Sequence, residues 1–266
     1  MANARMKDIR AFSGFGSIAV AGVLFLYLPI LFLCVYSFND GRSVSQWSGF
    51  SFRWYITVFG NSGIKAAAMN SLTIATIAAS VSTVLALGAA MATVNRRFKG
   101  ETLAYATLTF PLMVPEIVTA VASLVFFVSL GVRLGFSTIL IAHIVFCIPF
   151  AYLPIRARLE GMDATLNAAA ADLYASPIRA FWRITLPLLA PGLMSGWLLA
   201  FIISLDDFII TALVAGPGST TLPLHIYGML RLGITPEVNA ISTMMLVGSI
   251  VLLAIAGVLG RSSKNS

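Results

Sequence analysis

The sequence predicts an all-α protein that crosses a membrane several times, and three observations lead to this fold class. Hydrophobic residues make up 59% of the 266 positions and charged residues only 10%, and the mean hydropathy is +0.93. The charge-poor runs are long enough for helical spans, which need about 20 apolar residues each. No run shows the alternating pattern of about ten residues that marks the strands of an outer-membrane barrel.

Six charge-poor runs predict six transmembrane helices. In chain order they lie near residues 17–36, 68–94, 104–130, 136–155, 191–215 and 240–260. The first run has the length of a full span and no small-residue cleavage site after it, which predicts an uncleaved anchor rather than a signal peptide. This division makes 1–16 the N-terminal tail, 17–260 the membrane domain and 261–266 the C-terminal tail.

The distribution of basic residues predicts that both tails are cytoplasmic. With the N-terminus inside, most of the 17 lysines and arginines fall on the inner side, as the positive-inside rule requires. These residues flank the spans in short groups and form no single basic surface, so they do not predict nucleic-acid binding. Cys34 and Cys147 both lie in apolar runs, where two isolated cysteines predict neither a disulfide nor a metal site.

The longest inner segment, residues 156–190, predicts two short helices that meet at a turn. Asp163 or Thr165 can cap the first helix, which contains four consecutive alanines. Ser176 followed by Pro177 is a start signal for the second helix, which we expect to end at Leu186-Pro187. A helix pair of this kind in a cytoplasmic loop indicates a docking element for a soluble partner.

This loop resembles the signature of the permease subunits of ATP-binding-cassette importers. That signature runs Glu-Ala-Ala, three residues, Gly, nine residues, then Ile-x-Leu-Pro. Here the same spacing holds Ala168-Ala169-Ala170, Tyr174 and Ile184-Thr185-Leu186-Pro187, so alanine replaces the glutamate and tyrosine the glycine. The alternative is a helix that only lies on the membrane surface. The residues that the resemblance assigns to coupling with the ATPase are Ala168, Ala169, Ala170, Asp172, Tyr174, Ala175, Ser176, Pro177, Ile184, Leu186 and Pro187.

Several further segments narrow the resemblance to the spermidine/putrescine branch of these permeases. They are Asn70-Ser71-Leu72, Pro111 with Pro115-Glu116, Ser195-Gly196-Trp197, Ser204-Leu205-Asp206-Asp207, Leu222-Pro223-Leu224 and Pro236 to Ala240. The resemblance implies a permease in a bacterial inner membrane that works with a second permease, two ATPase subunits and an extracytoplasmic polyamine-binding protein. We expect residues 39–66 and the outer loop 216–240 to receive that binding protein, although either segment can equally be a membrane-surface lid.

The resemblance also implies that this chain binds no cofactor, because ATP and Mg belong to the partner ATPase. The sequence agrees, since it has no Gly-x-x-x-x-Gly-Lys-Ser/Thr phosphate loop. Three alternatives stay open: an importer for ferric iron, thiosulfate or an amino acid, an ATPase-independent secondary transporter, and an intramembrane aspartyl protease. Adjacent aspartates on one helix point too far apart for the protease dyad, and the docking loop has no role in a secondary transporter.

Acidic residues inside the spans are the candidates for the translocation path. A carboxylate near the membrane centre costs roughly 2.5 to 3.5 kcal/mol, so such groups usually face a pathway or a partner. On a continuous helix Asp207 joins a stripe of small and polar residues, whereas Asp206 is turned about 100° away among isoleucines. We therefore expect Asp207 in the path and Asp206 in packing or gating. The alternative for Asp207 is an interhelical hydrogen bond to a serine or threonine.

The third and fifth runs supply the remaining path candidates. Pro111 and Pro115 predict a kink that frees backbone carbonyls beside Glu116, although Glu116 can instead anchor the kinked helix. Aromatic faces can hold a cation, although packing is the commoner use of Trp197 and Phe201. Both histidines are expected to be structural. The full set of predicted path residues is Asp207, Asp206, Glu116, Ser204, Thr211, Trp197 and Phe201.

Overall fold

The computed structural model describes residues 15–43, 46–94, 99–163, 165–233 and 235–262. The predicted tails lie largely outside these ranges, as do the basic residues Arg5, Lys7, Arg10, Arg96, Arg97 and Lys264. The described residues are mostly helical, which confirms the all-α class, and Asn39 and Phe50 form an isolated β-bridge. The helices are α1 Phe15–Tyr36, α2 Arg53–Gly60, α3 Ser62–Thr93, α4 Glu101–Met113, α5 Glu116–Ser129, α6 Phe136–Glu160, α7 Thr165–Asp172, α8 Pro177–Ala180, α9 Leu186–Asp206, α10 Ile209–Val214, α11 Leu222–Leu232 and α12 Pro236–Ser262.

Membrane-spanning helices are fewer among the described residues than the six predicted. Four helices are long and apolar enough to cross a membrane, and a fifth span is obtained if α4 and α5 count as one. Helix α12 has 27 residues, of which Pro236–Leu252 form the described apolar part. The number six, the predicted orientation and the predicted domain boundaries therefore stay predictions.

The third run is broken where proline predicts a kink. Helices α4 and α5 meet at 106° across Val114 and Pro115, which both have extended ψ angles of 133°. Proline lacks an N–H and forces the residue before it out of the helical region, so the break follows from Pro115. Pro111 lies inside α4.

Helix α9 corrects two expectations. The second loop helix does not end at Leu186-Pro187: α8, a π-helical turn over Phe181–Thr185 and α9 form one helix of 30 residues, Pro177–Asp206. The π turn accommodates Pro187, because widening the helix tolerates a residue without an N–H. The run 191–215 is also not one continuous helix, since α9 ends at Asp206 and α10 begins at Ile209.

The chain divides into two compact units, residues 1–60 with 229–245 and residues 61–228 with 246–266. In the first unit Asn39 organises the segment that follows α1. Its side-chain amide donates to the carbonyls of Ser43 and Gln46, and its side-chain oxygen accepts from the Ser48 amide. The Asn39 carbonyl accepts from the indole N–H of Trp54 at 2.7 Å.

The second unit is built on α3, α6 and α9, which pack against one another around small residues. Ala75, Ala79, Ala151 and Ala200 are fully buried in this core. Small side chains let membrane helices approach closely, which is the main source of packing energy where lipid removes the hydrophobic driving force.

The α6–α9 crossing is closest at Gly196. A Cβ atom there would lie 2.7 Å from the Ala151 carbonyl oxygen. One turn further on, the Cys147 thiol lies 3.5 Å from the Ala200 carbonyl oxygen. The small residues of α9 thus run along α6 at four-residue intervals.

The segment Asn70-Ser71 fixes the loop before α11 by hydrogen bonds to its backbone. The Asn70 amide donates to the carbonyls of Gly218 and Thr220, at 3.2 and 3.0 Å, and the Ser71 hydroxyl accepts from the Leu222 amide at 2.8 Å. The loop leads directly into the short helix α11.

Replacing Gly196 by alanine should weaken the α6–α9 crossing. The added methyl group meets backbone rather than a flexible side chain, so we expect a loss of about 1–3 kcal/mol, typical of overpacking. The measurement is the thermal unfolding midpoint of the purified protein in detergent. Gly88→Ala is the matched control, because a Cβ there meets no atom within 4 Å. Equal midpoints for the two variants would contradict the close approach.

Candidate functional site

The site lies at the break between α9 and α10, where Asp207 takes an extended conformation with φ −63° and ψ 127°. Its carboxylate turns back to cap α10. The Thr211 amide and hydroxyl both donate to Oδ1 at 2.9 Å, and the Ile210 amide donates to Oδ2 at 3.3 Å. Asp207 therefore satisfies amide groups that the break leaves without helical partners.

His143 of α6 completes this network. Its Nδ1 lies 2.8 Å from the Ser204 hydroxyl, and its Nε2 lies 3.0 Å from the Thr211 hydroxyl and 3.1 Å from Asp207 Oδ1. The side chains of His143 and Asp207 are 1% and 2% exposed, and Ser204 and Thr211 are also buried. The contacts of Asp207 are thus hydrogen bonds that join α6 to α9 and α10.

The sequence expectation for His143 did not include these contacts. A histidine and an aspartate in separate charge-poor runs each need a polar partner inside a membrane. This need was the signal in the sequence from which the pairing of His143 with Asp207 could have been predicted. The small-residue stripe was predicted correctly in part: Gly192, Gly196, Ala200, Ser204, Asp207 and Thr211 are all buried. The stripe does not continue as one helix, because the chain breaks at Asp207.

Asp206 and Glu116 lie at the open side of the same region. Asp206 is exposed although its neighbour Asp207 is buried, and Glu116 is half-buried at the first position of α5. Glu116 lies within electrostatic reach of both Asp207 and Asp206. Because α10 packs against α5, the two helix breaks bring three acidic side chains together.

The predicted aromatic candidates lie at the α3–α9 contact. The ring of Trp197 stacks on Phe201 with centroids 5.2 Å apart and planes 16° apart. The Trp197 indole N–H donates to the Ser80 hydroxyl at 3.0 Å, and Phe201 is buried. These contacts are those of packing aromatics.

The first loop helix, α7, is capped by Asp163. The Thr165 amide and hydroxyl donate to Asp163 Oδ1 at 2.9 and 2.8 Å. Both hydrogen bonds hold the pKa of Asp163 below its usual value, and the one from the backbone amide has the larger effect.

Tyr174 closes the same helix in a conformation that usually belongs to glycine. Its φ is +55°, its amide donates to the Ala171 carbonyl, and the Ala175 amide donates to the Ala170 carbonyl. These two bonds are the Schellman motif, so the tight turn is kept although tyrosine replaces glycine. A left-handed non-glycine residue costs roughly 1–2 kcal/mol.

The second loop helix begins as predicted, with Ser176 as its N-cap and Pro177 as its first residue. Along the loop, four large apolar side chains are exposed. They are Leu173, Tyr174, Ile178 and Trp182, of which Tyr174 is 95% exposed. Asp172 and Ala169 are exposed and Ala170 is buried, while Ile184 and Leu186 are partly buried. The side chain of Ala168 lies outside the described set.

The chain matches the family described as "Binding-protein-dependent transport system inner membrane component" over residues 82–265. The chain belongs to this family. It is 39% identical over 246 residues to the spermidine/putrescine transport system permease protein PotC of Escherichia coli K12, with 92% of this chain and 93% of PotC covered. It is 40% identical over 236 residues to the putrescine transport system permease protein PotI of the same strain, with 86% and 84% covered.

Solved structures show the same fold. The chain resembles one in the crystal structure of a bacterial ABC transporter involved in the import of the acidic polysaccharide alginate, with TM-score 0.68, 19% identity, and 92% of this chain and 95% of that chain covered. For the inward-facing MetNI methionine ABC transporter the TM-score is 0.63 at 17% identity, with 74% and 94% covered.

These likenesses confirm the predicted permease family and fold class. The chain is a multi-pass component of the bacterial inner membrane, and its relatives are permease subunits of transport systems rather than enzymes.

Replacing Tyr174 by glycine should stabilise α7. Glycine adopts the left-handed conformation without strain, so the gain should be about 1 kcal/mol. That change should slow amide hydrogen exchange in residues 169–173 by about fivefold wherever exchange occurs by local opening. Tyr174→Ala removes the ring but keeps the strain and should give no gain. Slower exchange in both variants would show that the ring, not the backbone, is the source of strain.

Proposed function

We propose that this chain forms, with a second permease subunit, the translocation path of an ATP-driven importer for polyamines such as putrescine and spermidine. The names of PotC and PotI support this substrate class, because both matches cover most of each chain. The chemistry of the site is the second support. Polyamines are cations at neutral pH and require oxygen acceptors to replace the water they lose.

The observation that carries the proposal is the meeting of two helix breaks at three acidic residues. Facing carboxylates in a low-dielectric setting repel each other unless a cation or a shared proton lies between them. An ammonium group supplies that cation. Glu116 and Asp206 are the accessible members of the group, whereas a sugar acid or another anion would be repelled there.

We assign the contact with the amine to Asp206 and Glu116, and an anchoring role to Asp207. The sequence favoured Asp207 for the contact, because on a continuous helix it joins the stripe of small and polar residues. In the structure the Asp207 carboxylate already accepts from Thr211 and Ile210 and pairs with His143. Few of its acceptor sites are therefore left for a substrate. Asp206, with its exposed carboxylate, has no such hydrogen bonds within the described residues.

The loop over residues 156–190 is assigned to docking of a partner ATPase. Its side chains Leu173, Tyr174, Ile178 and Trp182 are large, apolar and exposed, and exposed apolar groups of this size are typical of an interaction surface. ATP and Mg would bind to that ATPase, two copies of which would serve the pair of permeases. An extracytoplasmic polyamine-binding protein would deliver the substrate on the other side.

Replacing Asp206 by asparagine should raise the KM for putrescine about tenfold. A charge-assisted hydrogen bond contributes about 1.5–3 kcal/mol, and 1.4 kcal/mol is a factor of ten. The measurement is ATP-dependent uptake of labelled putrescine and spermidine by the assembled importer, with unlabelled ferric iron and thiosulfate as competitors. Glu101→Gln, a neutralised acid at the start of α4, is the control and should leave KM unchanged.

Two results would count against this assignment. If wild-type importer takes up no polyamine, or if iron or thiosulfate competes, the substrate class is wrong. If Asp206→Asn and Glu116→Gln both transport polyamines with unchanged KM, the acidic groups at the breaks are not in the path.

Replacing Tyr174 by aspartate should uncouple ATP hydrolysis from uptake. We expect the number of ATP molecules hydrolysed per putrescine transported to rise several-fold. The charge replaces the most exposed of the four apolar side chains of the loop, while aspartate tolerates the left-handed backbone. The measurement is the ratio of ATP hydrolysed to putrescine transported in proteoliposomes. Tyr174→Phe keeps the ring and is the matched control. Normal coupling in the aspartate variant would remove the docking assignment.

A further inference from the structure

His143 contacts both sides of the break between α9 and α10. Nδ1 meets Ser204 on the last turn of α9, and Nε2 meets Asp207 and Thr211 beyond the break. Ser204 and Thr211 would lie roughly 10.5 Å apart along the axis of a continuous helix. One imidazole binds both hydroxyls, so it holds together two elements that the break separates.

The hydrogen-bond directions in this network can be assigned. The Thr211 hydroxyl donates to Asp207 Oδ1, so its oxygen can only accept from the imidazole. Nε2 therefore carries a proton and donates, and Nδ1 can accept from the Ser204 hydroxyl. With this tautomer every member of the network has a partner. Loss of the imidazole would leave the buried Ser204 and Asp207 groups short of partners, at the cost typical of unsatisfied polar groups.

The orientation of Asp206 depends on the same contacts. Asp206 and Asp207 are adjacent, yet one is exposed and the other buried. The backbone turns at Asp207, and the Asp207 carboxylate is held by α10 on one side and by His143 on the other. Asp206 is the last residue of α9, so the contacts that hold the break also hold the helix end that carries Asp206.

We infer that His143 is a positioning residue that holds the α9–α10 break in the conformation that presents Asp206 to the substrate. The inference rests on the proposed function, since it gives His143 its effect through that acid. His143 itself is buried and touches no substrate. A purely structural histidine would change the amount or stability of the protein without changing the accessibility of position 206.

The experiment measures that accessibility directly. Asp206→Cys is placed in a Cys34→Ser background, and Cys147 is kept because it is fully buried and unreactive in apolar surroundings. The rate of reaction with a positively charged methanethiosulfonate reagent is compared for histidine, glutamine, asparagine and leucine at position 143. The glutamine amide reaches the Nε2 position and the asparagine amide only the Nδ1 position. The assembled importer is used throughout.

We expect His143→Asn and His143→Leu to change the labelling rate at least fivefold, and His143→Gln to stay within about twofold. The only other histidine in the sequence is His225, and His225→Leu should leave the rate unchanged. If the asparagine and glutamine variants label alike, the positioning role is wrong, even where the leucine variant fails to fold.

Uptake separates this inference from the proposed function. With Asp206 intact, His143→Asn should raise the KM for putrescine, and the effect should be lost when Asp206 is already asparagine, because residues that act as a unit are not additive. If Asp206→Asn leaves uptake unchanged while labelling still depends on His143, the proposed path is wrong and the positioning role stands. If labelling does not depend on His143, the positioning role falls whatever the uptake shows.

Discussion

A carboxylate inside the membrane must receive hydrogen bonds from the protein, and the rest of the site depends on how Asp207 meets this requirement. No water satisfies backbone groups at membrane depth, so a helix broken there needs internal partners. Asp207 provides them by capping α10, and His143 provides the partner that Asp207 needs in turn. The break is stable because these two requirements are met by one network. At this break Asp207 leaves the helical path and turns back onto α10, while Asp206 stays on the last turn of α9.

The network exists only because α6 and α9 lie very close together. Gly196 allows the backbone of α9 to approach the Ala151 carbonyl, and Cys147 meets Ala200 one turn along the interface. The next pair in the same register is His143 with Ser204. Small residues thus do more than supply packing energy, since their spacing brings the imidazole within hydrogen-bond distance of the break.

Features set by hydropathy or by proline could be predicted from the sequence, and features set by long-range contacts could not. The apolar runs predict α1, α3, α6 and α9, and Pro115 marks the broken third run, because both signals are local. The break at Asp207 has no proline or glycine to mark it, and it is stabilised by a histidine 61 residues away from Ser204. Tyr174 shows the same limit: its side chain disfavours the turn, yet the two Schellman hydrogen bonds hold it there.

The helix is continuous from Pro177 to Asp206, so it links the cytoplasmic loop to the acidic break. The sequence analysis predicted these two sites on separate helices. A helix that ended at Pro187 would have left a joint between the loop and the acidic break. The π turn over Phe181–Thr185 instead carries the chain past Pro187 without ending the helix, and the Leu186 amide donates to the Phe181 carbonyl. The helix therefore connects Ser176 with Asp206 without an intervening loop. The loop assigned to the ATPase and the carboxylate assigned to the substrate lie at opposite ends of this one element, and the His143 contacts lie at the Asp206 end.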